Sequence, residues 1–149
     1  MKMVFMLGLI VGLLAGCLPP PGIIGKIPQV DGDFATVFIA RKMGTVGCVD
    51  DGTGTGRQIS GSVIQVNDEN FIRIACGVKT QFKIPVGKTT KISSVSSAIS
   101  DHYYLEPEKG EKIYFGMDCN FWACWFAPMS RTEWRQISET CKEVLVIKQ

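Results

Sequence analysis

Ser62-Val-Ile-Gln-Val66, Asn67-Asp68-Glu69 and Asn70-Phe-Ile-Arg-Ile-Ala75 form the stretch on which the fold turns. Two runs rich in β-branched residues flank three polar ones. That pattern predicts two strands joined by a hairpin. The same grammar extends outward in both directions. Upstream, Phe34-Ala-Thr-Val-Phe-Ile-Ala-Arg41 is β-branched and aromatic. Downstream, Lys79-Thr-Gln-Phe-Lys-Ile84 alternates, Pro85-Val86-Gly87-Lys88 turns, and Thr89–Val95 resumes. His102–Leu105, Glu111–Phe115 and Asn120–Phe126 read as further strands, with a turn at Glu106-Pro107-Glu108-Lys109-Gly110. Val144–Ile147 reads as a last strand or a packed tail.

The C-terminal part differs. Ser130-Arg131-Thr132-Glu133 has the form of a capping box, with Glu133 at N3. Trp134, Ile137 and Cys141 recur at helical spacing, which predicts an amphipathic helix from about Arg131 to Lys142 packed on the sheet. The expected fold class is mainly β: a small β-sandwich of about seven strands with one C-terminal amphipathic helix.

Composition sets the bounds. The chain has 149 residues, one domain's worth, with 46% hydrophobic and 20% charged residues. It should fold rather than stay disordered. Lys+Arg 16 against Asp+Glu 14 gives a net charge of +2, which excludes a strongly basic nucleic-acid binder, and no nucleic-acid partner is expected.

The N-terminus bears on location. Met1-Lys2-Met3 precedes an apolar run ending Leu14-Ala15-Gly16-Cys17. This is the layout of a signal peptide. The run is too short to span a bilayer, which needs about 20 apolar residues. Its end resembles the bacterial lipobox. That resemblance implies a thioether diacylglycerol on Cys17, cleavage just before it, and an amide-linked acyl chain such as palmitate. Leu18 rather than Asp follows the Cys, which by the enterobacterial sorting rule implies the outer membrane, facing the periplasm. The expected division is a signal peptide over 1–16, a lipidated Cys and Pro/Gly-rich tether over 17–33, and a domain over 34–149. Three consecutive prolines, Pro19–Pro21, favour an extended tether at about 3.1 Å per residue.

Taken together, the lipobox, "TVFIAR" ending at Arg41, the hairpin at Asn67-Asp68, "IPVGK" at 84–88, "EPEKGEKIYF" at 106–115 and "PMSRTEWRQISETC" at 128–141 resemble the DUF2846-type bacterial lipoproteins. The resemblance covers roughly residues 34–142. It implies a small, prealbumin-like β-sandwich at the cell envelope and carries no catalytic residues. Val86 stands between the Pro and Gly of the family's turn, and Thr89 stands where a His is common.

Candidate chemistry is sparse. Beyond Cys17, the cysteines are Cys48, Cys76, Cys119, Cys124 and Cys141. In an oxidising compartment they can close at most two disulfides; Cys119 and Cys124 are close enough to close a small loop or can face different strands, and the sequence does not choose among the pairings. A bond from a strand to Cys141 would staple helix to sheet; unpaired cysteines packed in the core are the alternative. There is no Cys-x-x-Cys and only one His, so neither a metal nor a cofactor is expected. His102, between Asp101 and two tyrosines, reads as an edge residue rather than a catalytic base. The Gly52–Gly56 run lacks the Gly-Lys-Ser/Thr ending of a phosphate loop and reads as a loop between strands.

The stretch from Phe121 to Met129 is apolar where a half-buried strand would alternate apolar and polar, so its second face needs a cover. Either the C-terminal helix covers it through Trp134 and Ile137, or Trp122, Trp125 and Phe126 meet a partner. The expectation is a non-enzymatic envelope lipoprotein with a binding or scaffolding role. It would be held to the membrane by acyl chains on Cys17 and engage an envelope protein partner. The alternative is an inhibitor-like module that blocks a hydrolase through the 48–61 loop.

Overall fold

A computed structural model describes residues 22–26, 28–42, 48–49, 57–58, 62–96, 100–120, 123–141 and 143–146. In chain order the strands are β1 (Gly22–Ile23), β2 (Phe34–Arg41), β3 (Cys48–Val49), β4 (Arg57–Gln58), β5 (Ser62–Val66), β6 (Glu69–Ile74), β7 (Val78–Pro85), β8 (Thr90–Val95), β9 (Ser100–Leu105), β10 (Lys112–Cys119) and β11 (Cys124–Pro128). Helix α1 (Arg131–Ser138) and strand β12 (Glu143–Val146) follow.

The fold is mainly β, with open sheets as in a β-sandwich. One five-stranded sheet, A, has the order β1-β6-β5-β8-β9; the other, B, has the order β11-β10-β2-β7-β12. β3 and β4 pair as a separate two-stranded ribbon. The described strands outnumber the seven or so expected. The additions are short pairings that carry little pattern: β1 within the expected tether, and β3 and β4 within the Gly-rich segment.

Alternation builds the core. In β7, Val78, Thr80, Phe82 and Ile84 are buried while Lys79, Gln81, Lys83 and Pro85 are half-buried on the outer face. Val37 and Ile39 of β2, Ile64 of β5, Ile92 of β8 and Phe115 of β10 join Phe82 and Ile84 in one cluster. Burying a side chain of this size contributes about 1.5–3 kcal/mol.

The β5–β6 hairpin turns on Asn67 and Asp68, both left-handed at φ 52° and 65°. Asn and Asp tolerate that conformation better than other side-chain-bearing residues. Asn67 Oδ1 accepts a hydrogen bond from Lys91 N at 3.0 Å, and Asp68 pairs with Lys91 Nζ at 2.7 Å, tying the turn to β8. Glu69 already belongs to β6. Pairing then shifts: Gln65 faces Asn70 but Ile64 faces Ile72, so Phe71 is an extra residue in the ladder. The bulge lets adjacent Phe71 and Ile72 both be buried.

Sheet B is mixed. β10 runs parallel to β2, and β12 runs parallel to β7. The tail thus closes as a strand. α1 ends at Ser138, four residues before the expected Lys142. Thr140 N and Cys141 N bond three residues back, to Ile137 O and Ser138 O, tightening the last turn before the chain joins β12. Asn120–Phe126 is not one strand. Asn120 N donates to Ala123 O and Ala123 N donates to Asn120 Oδ1, closing a turn, and β11 starts at Cys124.

The two sheets are joined along one side. Edge strand β11 of sheet B lies beside edge strand β9 of sheet A, and Asp101 Oδ2 accepts the Phe126 N–H at 2.8 Å. Ser94 Oγ donates to Cys124 O at 3.1 Å and pairs with Ser62 Oγ at 2.7 Å.

Candidate functional site

A groove rich in cationic side chains lies on the outer face of sheet B. Period-2 alternation puts Lys79 and Lys83 of β7 there. Registers place Thr36 of β2 beside Lys83 and Lys112, and Phe38 beside Gln81 and Tyr114. Lys83 Nζ sits 4.1 Å from the centre of the Phe34 ring.

α1 packs across this face. Ser130 Oγ accepts from Glu133 N, and Glu133 Oε2 accepts from Ser130 N at 2.7 Å, so the expected capping box is formed. Ser130 Oγ also donates to Glu133 Oε2 at 2.7 Å, and this bond, with the one from Ser130 N, holds the Glu133 carboxyl below the usual carboxylate range. Trp134 meets Phe38 edge-on at 5.4 Å and Tyr114 at 5.6 Å, while Phe38 and Tyr114 stack at 4.9 Å. A Cβ at Gly116 would overlap the terminal methyl of Met129, which would have to shift, and would come into ordinary contact with Ile137. Buried Trp134 Nε1 has no hydrogen-bond partner among the described residues.

Beside the helix runs a groove of about 450 Å³. Phe38, Tyr114 and Trp134 give it an aromatic wall, and Lys79, Lys112, Arg131 and Arg135 line it with a single carboxylate, Glu139. Arg131 and Arg135 stand one turn apart on α1, hence on one face. Lys79 Nζ donates to Ser138 O at 3.1 Å, where a cation complements the helix C-terminus. A chain of near-zero net charge therefore concentrates cations at one place. The signals were the alternation of Lys79 and Lys83 and the i, i+4 spacing of Arg131 and Arg135. Net charge alone hides both. Chemically, such a groove can hold anionic groups with apolar flanks.

The residues singled out as a partner surface divide. Trp122 lies outside the described residues. Trp125 is 40% exposed on β11, paired across the ladder with Asp118. Phe126 points the other way and is buried at 3%, against Phe115 at 5.2 Å, so it is a core residue and not a contact surface. The cause is plain period-2 alternation from Cys124 onward. The helix does not lie over Trp125; Trp134 covers Phe38 and Tyr114 instead.

Of the cysteines, Cys119 and Cys124 form a disulfide across the β10–β11 ladder. Cys76 is disulfide-bonded. The side chain of Cys48 and all of Cys17 lie outside the described residues. Cys141 is free and buried, so no disulfide staples α1 to the sheet. Its Sγ donates instead to Arg41 O at 3.5 Å, and burial pushes its pKa up. Arg41 is fully buried at the end of β2, and desolvation lowers its pKa to about 10.

His102 is exposed on β9 and meets Tyr104 edge-on at 5.5 Å. Among the described residues, no three His, Cys, Asp or Glu side chains gather as metal ligands. The Gly52–Gly56 run and most of the 48–61 loop lie outside the described residues; its base is the β3–β4 ribbon, with Cys48 facing Gln58 and Val49 facing Arg57. No family model, curated protein or solved structure matches the chain.

Proposed function

We propose that this chain is a non-enzymatic envelope lipoprotein, held to the membrane by acyl chains on Cys17, whose domain binds the acidic segment of an envelope protein. The observation that carries the binding reading is the groove beside α1, with Lys79, Lys112, Arg131 and Arg135 around one wall of aromatic rings. Arginines and lysines pair with carboxylates, and aromatic rings supply rigid apolar contact beside them. The anchoring reading rests on Leu14-Ala15-Gly16-Cys17 after a short apolar run.

The test is a photo-crosslinker in place of Gln136, the exposed α1 residue beside Arg135, in intact cells, followed by mass spectrometry. The expected result is a discrete adduct to one envelope protein at an Asp/Glu-rich segment. Adding R131E and R135E should reduce that adduct roughly tenfold, because charge complementarity governs encounter. An adduct unchanged by charge reversal, or none with folded protein present, would overturn the reading. Anchoring is checked apart from this, by the mass of the mature N-terminal peptide: an unmodified Cys17 would refute it.

One observation favours a second reading, the hydrolase inhibitor acting through residues 48–61. The β3–β4 ribbon pairs with neither large sheet. In that case a purified hydrolase would lose inhibition when residues 50–56 are replaced by a short turn.

A further inference from the structure

Among the described residues, the large hydrophobic side chains left exposed are few, and two of them are neighbours: Ile23 at 48% and Ile24 at 39%. They belong to the outermost edge of sheet A. Gly22 faces Arg73, Ile23 faces Ile72, and Ile24 N donates to Phe71 O at 3.1 Å. The segment is therefore bound to the domain rather than part of a free tether.

Only Leu18 and Pro19–Pro21 separate Cys17 from Gly22. A fully extended chain over those five steps spans at most about 18 Å. An acylated Cys17 sits at the headgroup level, and the polar layer of a leaflet is itself about 5–8 Å thick. The β1 edge thus cannot stand far from the bilayer. What that edge presents is an apolar pair with Lys26, exposed, two residues beyond and Arg73, half-buried, on the neighbouring strand. Isoleucines entering the acyl boundary with cations at phosphate level is the usual pattern of interfacial contact.

We propose that the β1 edge, through Ile23 and Ile24, is a membrane-docking surface that seats the domain on the phospholipid interface of the leaflet carrying its anchor. This rests on acylation of Cys17. The acyl chains supply attachment; the isoleucine pair supplies orientation. With the β1 edge on the bilayer, β9, at the opposite edge of sheet A, is the strand of that sheet farthest from the lipid.

The experiment uses the full acylated protein in vesicles of phosphatidylethanolamine and phosphatidylglycerol. A benzophenone side chain replaces Ile23, Ile24 or, as the distal control, Tyr104, which is 63% exposed on β9. Phospholipid adducts are counted by mass spectrometry. Adducts at 23 and 24 at least fivefold above those at 104 are expected. A probe at Lys26 should lose its lipid adducts when I23D and I24D are added, while flotation with the vesicles persists. Equal labelling at 104, no lipid adduct at 23 or 24 on floated protein, or a Lys26 probe indifferent to I23D and I24D would each overturn docking. Failure to float with unmodified Cys17 would instead overturn the anchor. Those results are separable, since acylation is read from the mass of the N-terminal peptide.

Discussion

Single residues here are decided by which side of a sheet they face. Trp125 and Phe126 are adjacent and chemically alike, yet one is solvent-facing and the other is core. Cys141 shows the same force of placement. Its thiol is buried between α1 and the end of β2, accepts no disulfide, and has its pKa raised by burial. The thiolate is the nucleophile, so native Cys141 should resist alkylation. With iodoacetamide at pH 8, the peptide carrying Cys141 should stay largely unmodified in the native protein and become modified in denaturant. Equal labelling in both states would show that the thiol is reachable. Asn67 and Asp68 make the complementary point. The hairpin was readable from the sequence, with Asn67-Asp68-Glu69 as its connection, but the tie to Lys91 was not, because Lys91 is 23 residues beyond Asp68.

At the level of elements, α1 is the clearest case of agreement between sequence and structure. Its capping box forms as spaced, since Ser130 and Glu133 interact within one turn and need no distant partner. Glu133 has its pKa lowered in the folded state by bonds from Ser130. A depressed carboxylate contributes stability above its unfolded pKa and loses it as pH falls through the folded value. Acidification below the usual carboxylate range should therefore loosen the first turn of α1. Amide hydrogen exchange in residues 131–134, corrected for intrinsic rate, should rise towards low pH in the native chain. E133Q should flatten that rise, because Gln can cap without titrating; the same rise in E133Q would disprove the assignment. The helix ends early for a reason outside its own sequence. Val144–Ile147 was ambiguous alone, but β7 offers an edge, and β12 pairs with it in parallel.

The whole molecule depends on how two sheets close on each other. Asp101 accepts the outward N–H of Phe126, so a carboxylate of one sheet occupies a hydrogen-bonding site on the edge strand of the other. Capping this N–H also removes one donor that another chain would need to pair with the edge. D101A should lower stability by about 1–2 kcal/mol, the cost of leaving such a donor unmet, and D101N should cost less because Asn retains an acceptor. Urea midpoints of the three proteins would check this, and equal losses for D101A and D101N would remove the hydrogen bond as the cause.

The sequence by itself determined the strands with strong alternation, the tight hairpin, the helix cap and the lipobox pattern. All of these arise between residues a few positions apart, where periodicity and turn chemistry act directly. Tertiary structure alone decided that Lys79 and Lys112 share a groove with Arg131 and Arg135, and that Gly22–Ile23 adds a strand to sheet A. Those outcomes depend on register and on which edges meet. Pairing energies between distant strands set them, and no local pattern along the chain encodes them.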